Sequence, residues 1–74
     1  MTVHHTTYEG RKITIATEQF DDGKYCILGV KVEVRQGENL VVVDMPYLGI
    51  VNADESKVVE QAKVDASLYV LNRL

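Results

Sequence analysis

The sequence predicts an α+β fold: an antiparallel meander of three to four strands with one C-terminal helix packed on one face, forming a single domain over residues 1–74. Short segments of alternating apolar and polar residues fill the chain from Thr2 to Val43. Turn residues punctuate them at Glu9-Gly10, Asp21-Asp22-Gly23 and Gln36-Gly37-Glu38-Asn39. Helical periodicity then runs from Asn52 to Leu74. Hairpins in series followed by a single helix make two layers, because each element must bury its apolar face against another.

Thr2 to Tyr8 is rich in Thr, His and Tyr and can form a short first strand. From Arg11 to Phe20, Ile13 and Ile15 alternate with Thr14 and Ala16, the period of a strand with one buried face. Asp21-Asp22-Gly23 predicts a tight hairpin, since aspartate tolerates and glycine readily adopts the left-handed backbone. The next strand, Lys24 to Arg35, places Cys26, Leu28, Val30, Val32 and Val34 in one phase and Lys31, Glu33 and Arg35 in the other. Gly29 in its middle marks an expected bulge or bend. Leu40-Val41-Val42-Val43 is apolar on both faces, as in a strand covered twice or an edge that finds a neighbour. Met45-Pro46 ends it, because proline cannot donate to a ladder.

The helix is expected to start at Asn52, with Glu55 reaching back in a capping box and Asp54 as the rival cap. Val58, Val59, Ala62, Ala66, Tyr69 and Val70 share one face, the expected core stripe. Val64, Leu68 and Leu71 lie roughly opposite, and Gln61-Val64-Leu68-Leu71 has the three-four-three spacing of a coiled-coil seam. Either the Tyr47–Val51 segment curls over this second stripe, or it is a partner surface, most simply for a second copy.

A chain of 74 residues buries only about 60% of its unfolded surface and often gains stability by association. Cys26 is the only cysteine, so no disulfide framework exists, which fits a reducing compartment. Without an apolar run of membrane length or a signal-peptide pattern, a cytoplasmic location and no membrane association are expected. Eight basic and eleven acidic side chains give a net charge of -3, mixed along the chain, which favours no particular partner.

Few residues invite chemistry. His4, His5 and Cys26 lack the paired spacing of a zinc site, and adjacent histidines on a strand point to opposite faces. We therefore expect solvent-facing rings, no metal and no cofactor. Cys26 reads as a small core residue by its phase with Leu28, Val30 and Val32. Asp21 and Asp22 read as turn chemistry, and no phosphate-binding or nucleophile motif is present. A non-enzyme is expected. Nucleic-acid binding is disfavoured: Asp54, Glu55 and Glu60 outweigh Lys57 and Lys63 at the helix start, Glu33 separates Lys31 from Arg35, and the aromatics do not cluster.

Tyr8-Glu9-Gly10-Arg11-Lys12-Ile13, the Asp22-Gly23 and Gly37 hairpins and the alanine-containing last helix resemble small uncharacterised bacterial proteins that begin Y-x-G-x-x-I. The order is also similar to HicB-type antitoxin domains and, without its first helix, to the double-stranded-RNA-binding fold. The chain lacks the DNA-binding segment of the former and the basic helix start of the latter, so no functional residue carries over.

The expected function is a non-catalytic domain acting through protein contacts, as a homodimer and with room for another protein partner. Two surfaces compete for the contact: Leu40, Val41, Val42 and Val43 on the strand, slightly preferred, and Val64, Leu68 and Leu71 on the helix. A weak nucleic-acid accessory and an antitoxin-like inhibitor are the alternatives.

Overall fold

The computed structural model describes residues 1–47 and 51–74. Among these residues four strands precede one helix: β1 (Thr2–Tyr8), β2 (Arg11–Gln19), β3 (Tyr25–Gln36), β4 (Asn39–Met45) and α1 (Glu55–Leu71). The sheet order is β1-β2-β3-β4, with every neighbouring pair antiparallel. This is the expected meander, and Thr2–Tyr8 is its fourth strand.

Each turn follows from its residues. Glu9 (φ 52°) and Gly10 (φ 74°) both take positive φ between Tyr8 and Arg11, the signature of a type I′ hairpin. Gly37 (φ 63°) takes positive φ at the first of two loop positions between Gln36 and Asn39, as in type II′. The Asp22-Gly23 turn is wider than the tight hairpin expected. It runs from Phe20 to Lys24, closed by Gly23 N–H donating to the Phe20 carbonyl (2.9 Å) and Phe20 N–H donating to the Lys24 carbonyl (2.7 Å). Asp22 Oδ1 accepts from Lys24 N–H at 3.0 Å, a local bond typical of aspartate in turns.

The core lies between one sheet face and the helix. Ile13 and Ile15 from β2, Ile27, Val30 and Val32 from β3, and Met45 from β4 meet Val58, Val59, Ala62, Ala66 and Val70. Ala62 and Ala66 are fully buried, so the helix backbone rests close to the strands. Tyr69, expected in the core stripe, is half-buried at its margin, with the Arg73 guanidinium 3.5 Å from its ring centroid. The helix packs on β3, β2 and β1 in decreasing measure, leaving β4 outside its main footprint.

A β-bulge corrects the predicted phase of β3. Ala16 pairs with Gly29 and Thr17 with Ile27, so Leu28 is the extra residue opposite no partner. The bulge lets both Ile27 and Val30 face the core, whereas Leu28 is 50% exposed. Cys26 pairs with exposed Glu18 on the outer face and is only half-buried, not a core residue. Gly29 sits beside the irregularity as expected; the reversal of phase upstream of it is what strict alternation misses.

The helix start also differs from the expectation. Asp54 is the N-cap: its Oδ1 accepts from the Ser56 N–H (3.0 Å) and the Ser56 hydroxyl (2.7 Å). Asn52 is occupied one step earlier, accepting from Asp54 N–H at 2.9 Å and pairing its backbone with Tyr25 (2.7 and 3.1 Å). The bonds from Ser56 hold the Asp54 carboxyl below its usual range. The cap therefore supports the helix above the unfolded-state pKa and is lost as pH falls through the lowered one.

Candidate functional site

Three features stand out: a polar cluster beneath the helix start, the open β4 edge, and the outer stripe of the helix.

The polar cluster joins three elements. Thr17 is fully buried near the end of β2 and donates its hydroxyl proton to Glu55 Oε2 at 3.0 Å. His4 Nε2 lies 3.4 Å from Thr17 Oγ1 and 3.8 Å from Glu55 Oε2. The hydroxyl has one proton, which goes to the nearer carboxylate, so Thr17 accepts from His4 when Nε2 carries hydrogen. His4 is thus turned toward the helix and half-buried, a correction to the expected solvent-facing ring. His5 points to the opposite face, where Nδ1 is 3.4 Å from Thr14 Oγ1. Glu55 does not close a capping box, because with Asp54 as the N-cap it is the first helical residue, and its carboxylate joins this cluster.

Thr17 with His4 and Glu55 is a clamp from the first helical residue to the sheet. Thr17→Val should cost about 1.5 kcal/mol in urea unfolding, the lower end for a bond to a charged group because Glu55 keeps contact with water. A double-mutant cycle with Glu55→Ala, which removes the acceptor, should recover a coupling of that size, and zero coupling would contradict the clamp. Among the described residues, no three His, Cys, Asp or Glu side chains gather as metal ligands.

The β4 edge is the second feature. Among the described residues, β4 has β3 on one side and no strand on the other. Val41 and Val43 face the helix side and are half-buried; Leu40 and Val42 face outward and are 46% and 63% exposed. Between Asn39 and Val43 no side chain is charged, so the edge lacks the usual protection against strand pairing. The opposite edge, β1, carries Thr2, His4, His5, Thr6 and Thr7 and is far more polar. On the outer sheet face Val3, Ala16 and Gly29 align across three strands and floor a hollow of about 280 Å³ rimmed by Met1, Lys31 and Asp44. Lys31 sits directly opposite Asp44, and Glu33 accepts from Lys12 N–H at 2.7 Å, so acids are interleaved with the bases of this face.

The helix stripe is the third. Val64, Leu68 and Leu71 are 54%, 53% and 48% exposed. Of the Tyr47–Val51 segment expected to shield them, residues 48–50 lie outside the described residues. Tyr47 packs against the core margin near Asp65. Among the described residues its buried hydroxyl finds no well-directed hydrogen bond, and burial, then the Asp65 carboxylate, push its pKa up to about 12.

Of the seven residues expected at an interface, Leu40 and Val42 lie on the outer face of β4, Val41 and Val43 on its helix side, and Val64, Leu68 and Leu71 on the outer side of the helix. Sequence reasoning missed the Thr17–Glu55–His4 clamp, which no local pattern announces. Among the described residues, no helix is long and apolar enough to cross a membrane. No family model, curated protein or solved structure matches this chain.

Proposed function

We propose that this chain is a non-catalytic protein-binding domain that self-associates through β4, joining two sheets edge to edge across a two-fold axis. The observation that supports this reading is a strand at the sheet margin that is uncharged and apolar from Leu40 to Val43, with Leu40 and Val42 exposed. Every second residue of an edge strand turns its N–H and C=O away from the sheet, and a second strand satisfies them.

The sequence favours one register. Antiparallel pairing centred on Val41 sets Leu40 against Val42 of the other copy, twice, and closes an aliphatic patch on the outer face. Centring on Val42 would instead oppose Leu40 to Asp44. The two-fold axis stands perpendicular to the joined sheet, so both helices lie on the same side. Such a contact is isologous, each copy offering the same patch.

Val42→Lys tests this. The position is exposed, so the fold survives by circular dichroism, while sedimentation velocity shows the particle mass of the unmodified chain falling by half. Amide exchange at Leu40 and Val42 should slow with rising concentration of the unmodified chain. A monomer at the highest soluble concentration, or exchange there that ignores concentration, would overturn the reading.

A further inference from the structure

Independently of the strand contact, we infer that Asp22 is a site of spontaneous backbone modification, converting to isoaspartate through a cyclic imide closed by the Gly23 nitrogen. The reaction needs a carboxyl that reaches the next peptide nitrogen, a following residue that leaves this nitrogen uncovered, and a backbone able to bend. Among all the aspartates and asparagines of the chain, only Asp22 precedes glycine. Asp44 lies within β4 and Asp65 within α1, where regular structure fixes the next nitrogen. Asp54 serves as the helix cap. Asp21 is followed by Asp22, whose side chain crowds the attacking position. Asp22 itself is exposed, in the turn between β2 and β3.

The turn is shaped for ring closure. Gly23 has a positive φ of 87°, and a Cβ built there would meet nothing nearer than Gln19 Nε2, at 4.0 Å. The Asp22 carboxyl is turned forward along the chain, because Oδ1 accepts from the Lys24 N–H at 3.0 Å. Negative charge builds on a carboxyl oxygen as the nitrogen adds, and this N–H stands where a donor stabilises such charge. The brake is the Gly23 N–H, which donates to the Phe20 carbonyl at 2.9 Å and holds the nitrogen in the turn. Ring closure therefore waits on opening of that bond, a local event far cheaper than unfolding the core.

The step balances with water as its only co-reactant. The Gly23 nitrogen bonds to Asp22 Cγ, while its hydrogen and the carboxyl hydroxyl leave as water. Water then reopens the ring at one of its two carbonyls. Opening at Cγ restores aspartate. Opening at the main-chain carbon leaves Gly23 joined through Cβ and Cγ, with a free carboxylate on Cα. The mass is unchanged, and the backbone is one carbon longer.

That carbon enters where the chain has little slack. Phe20 N–H closes the turn on the Lys24 carbonyl at 2.7 Å, and the next residue, Tyr25, pairs its backbone with Asn52 at 2.7 and 3.1 Å. The Asn52 side chain in turn holds the N–H of Asp54, the helix cap. A longer turn thus loosens the β2–β3 hairpin and the anchor of α1 together.

The test is to age the folded chain for weeks at body temperature in mildly acidic buffer, then digest it and score isoaspartate residue by residue. Methyl transfer by an isoaspartyl carboxyl methyltransferase detects the product, and electron-transfer fragmentation places it. Isoaspartate should appear at Asp22 several-fold above Asp21, Asp44, Asp54 and Asp65. Asp22→Glu, which would need a larger ring, should abolish it while circular dichroism shows the same fold. Asp22→Asn should raise the rate many-fold, because ammonia leaves the same ring more readily, and no acceleration would overturn the imide route. The modified chain, separated by ion exchange, should unfold at lower urea than its parent; equal midpoints would overturn the link to the helix anchor. Isoaspartate spread evenly over the aspartates, or formed in urea and absent from the folded chain, would overturn the site itself.

Discussion

Replacing Ile15 by alanine should cost about 2–5 kcal/mol of stability, the range for truncating a large aliphatic side chain in a packed core. Ile15 is fully buried. It sits on an inner strand between His4 and Val30, its cross-strand partners, under the helix. Natural domains hold roughly 0.05–0.15 kcal/mol per residue, so in a chain this short the loss removes a large part of the margin. The denaturation midpoint in urea should fall sharply, and at 37 °C much of the protein should be unfolded. Ile15→Val is the control, with an expected cost of about 0.5–1.5 kcal/mol. A loss under about 1 kcal/mol for the alanine variant would contradict the packing.

The second large effect has the opposite volume change. Ala62→Leu should destabilise by about 1–3 kcal/mol because three more carbons must enter a contact that has no free surface. Alanine here is a spacing device: its methyl group lets the helix backbone settle onto β2 and β3. Leucine must lift the helix, and the strain reaches Val58 and Ala66, one turn to either side on the same face. The helix propensity of leucine is close to that of alanine, so the change isolates packing from local preference. Unchanged stability in denaturant melts would mean that the helix rides higher than described.

Much of this arrangement is legible in the residues because it is local. Ile13 and Ile15 alternate as a strand must, Gly37 marks its turn, and Val58, Val59, Ala62, Ala66 and Val70 recur at helical spacing and are all buried. The two apolar surfaces are legible for the same reason, since Val42 and Leu68 violate the expected polarity of an edge and an outer helix face. What escapes is set by distant parts of the chain. Cys26 and Leu28 continue the alternation of Val30 and Val32, so nothing local reveals that the bulge swaps their faces. Asn52 is as good a cap as Asp54 by type; its backbone pairing with Tyr25 decides the matter. Glu55 looks like a capping glutamate, and Thr17 like any strand threonine, until the two meet.

Because each strand bonds only to its sequence neighbours, the sheet can zip hairpin by hairpin, closing a short loop at every step. The lid over its oily side, however, follows all four strands in the chain. Until residues 55–71 arrive, Ile13, Ile15, Val30 and Val32 face water on a ribbon whose β4 margin is also unsatisfied. The growing chain is therefore stickiest before α1 docks, and the clamp from Thr17 to the first residue of α1 is where that hazard ends.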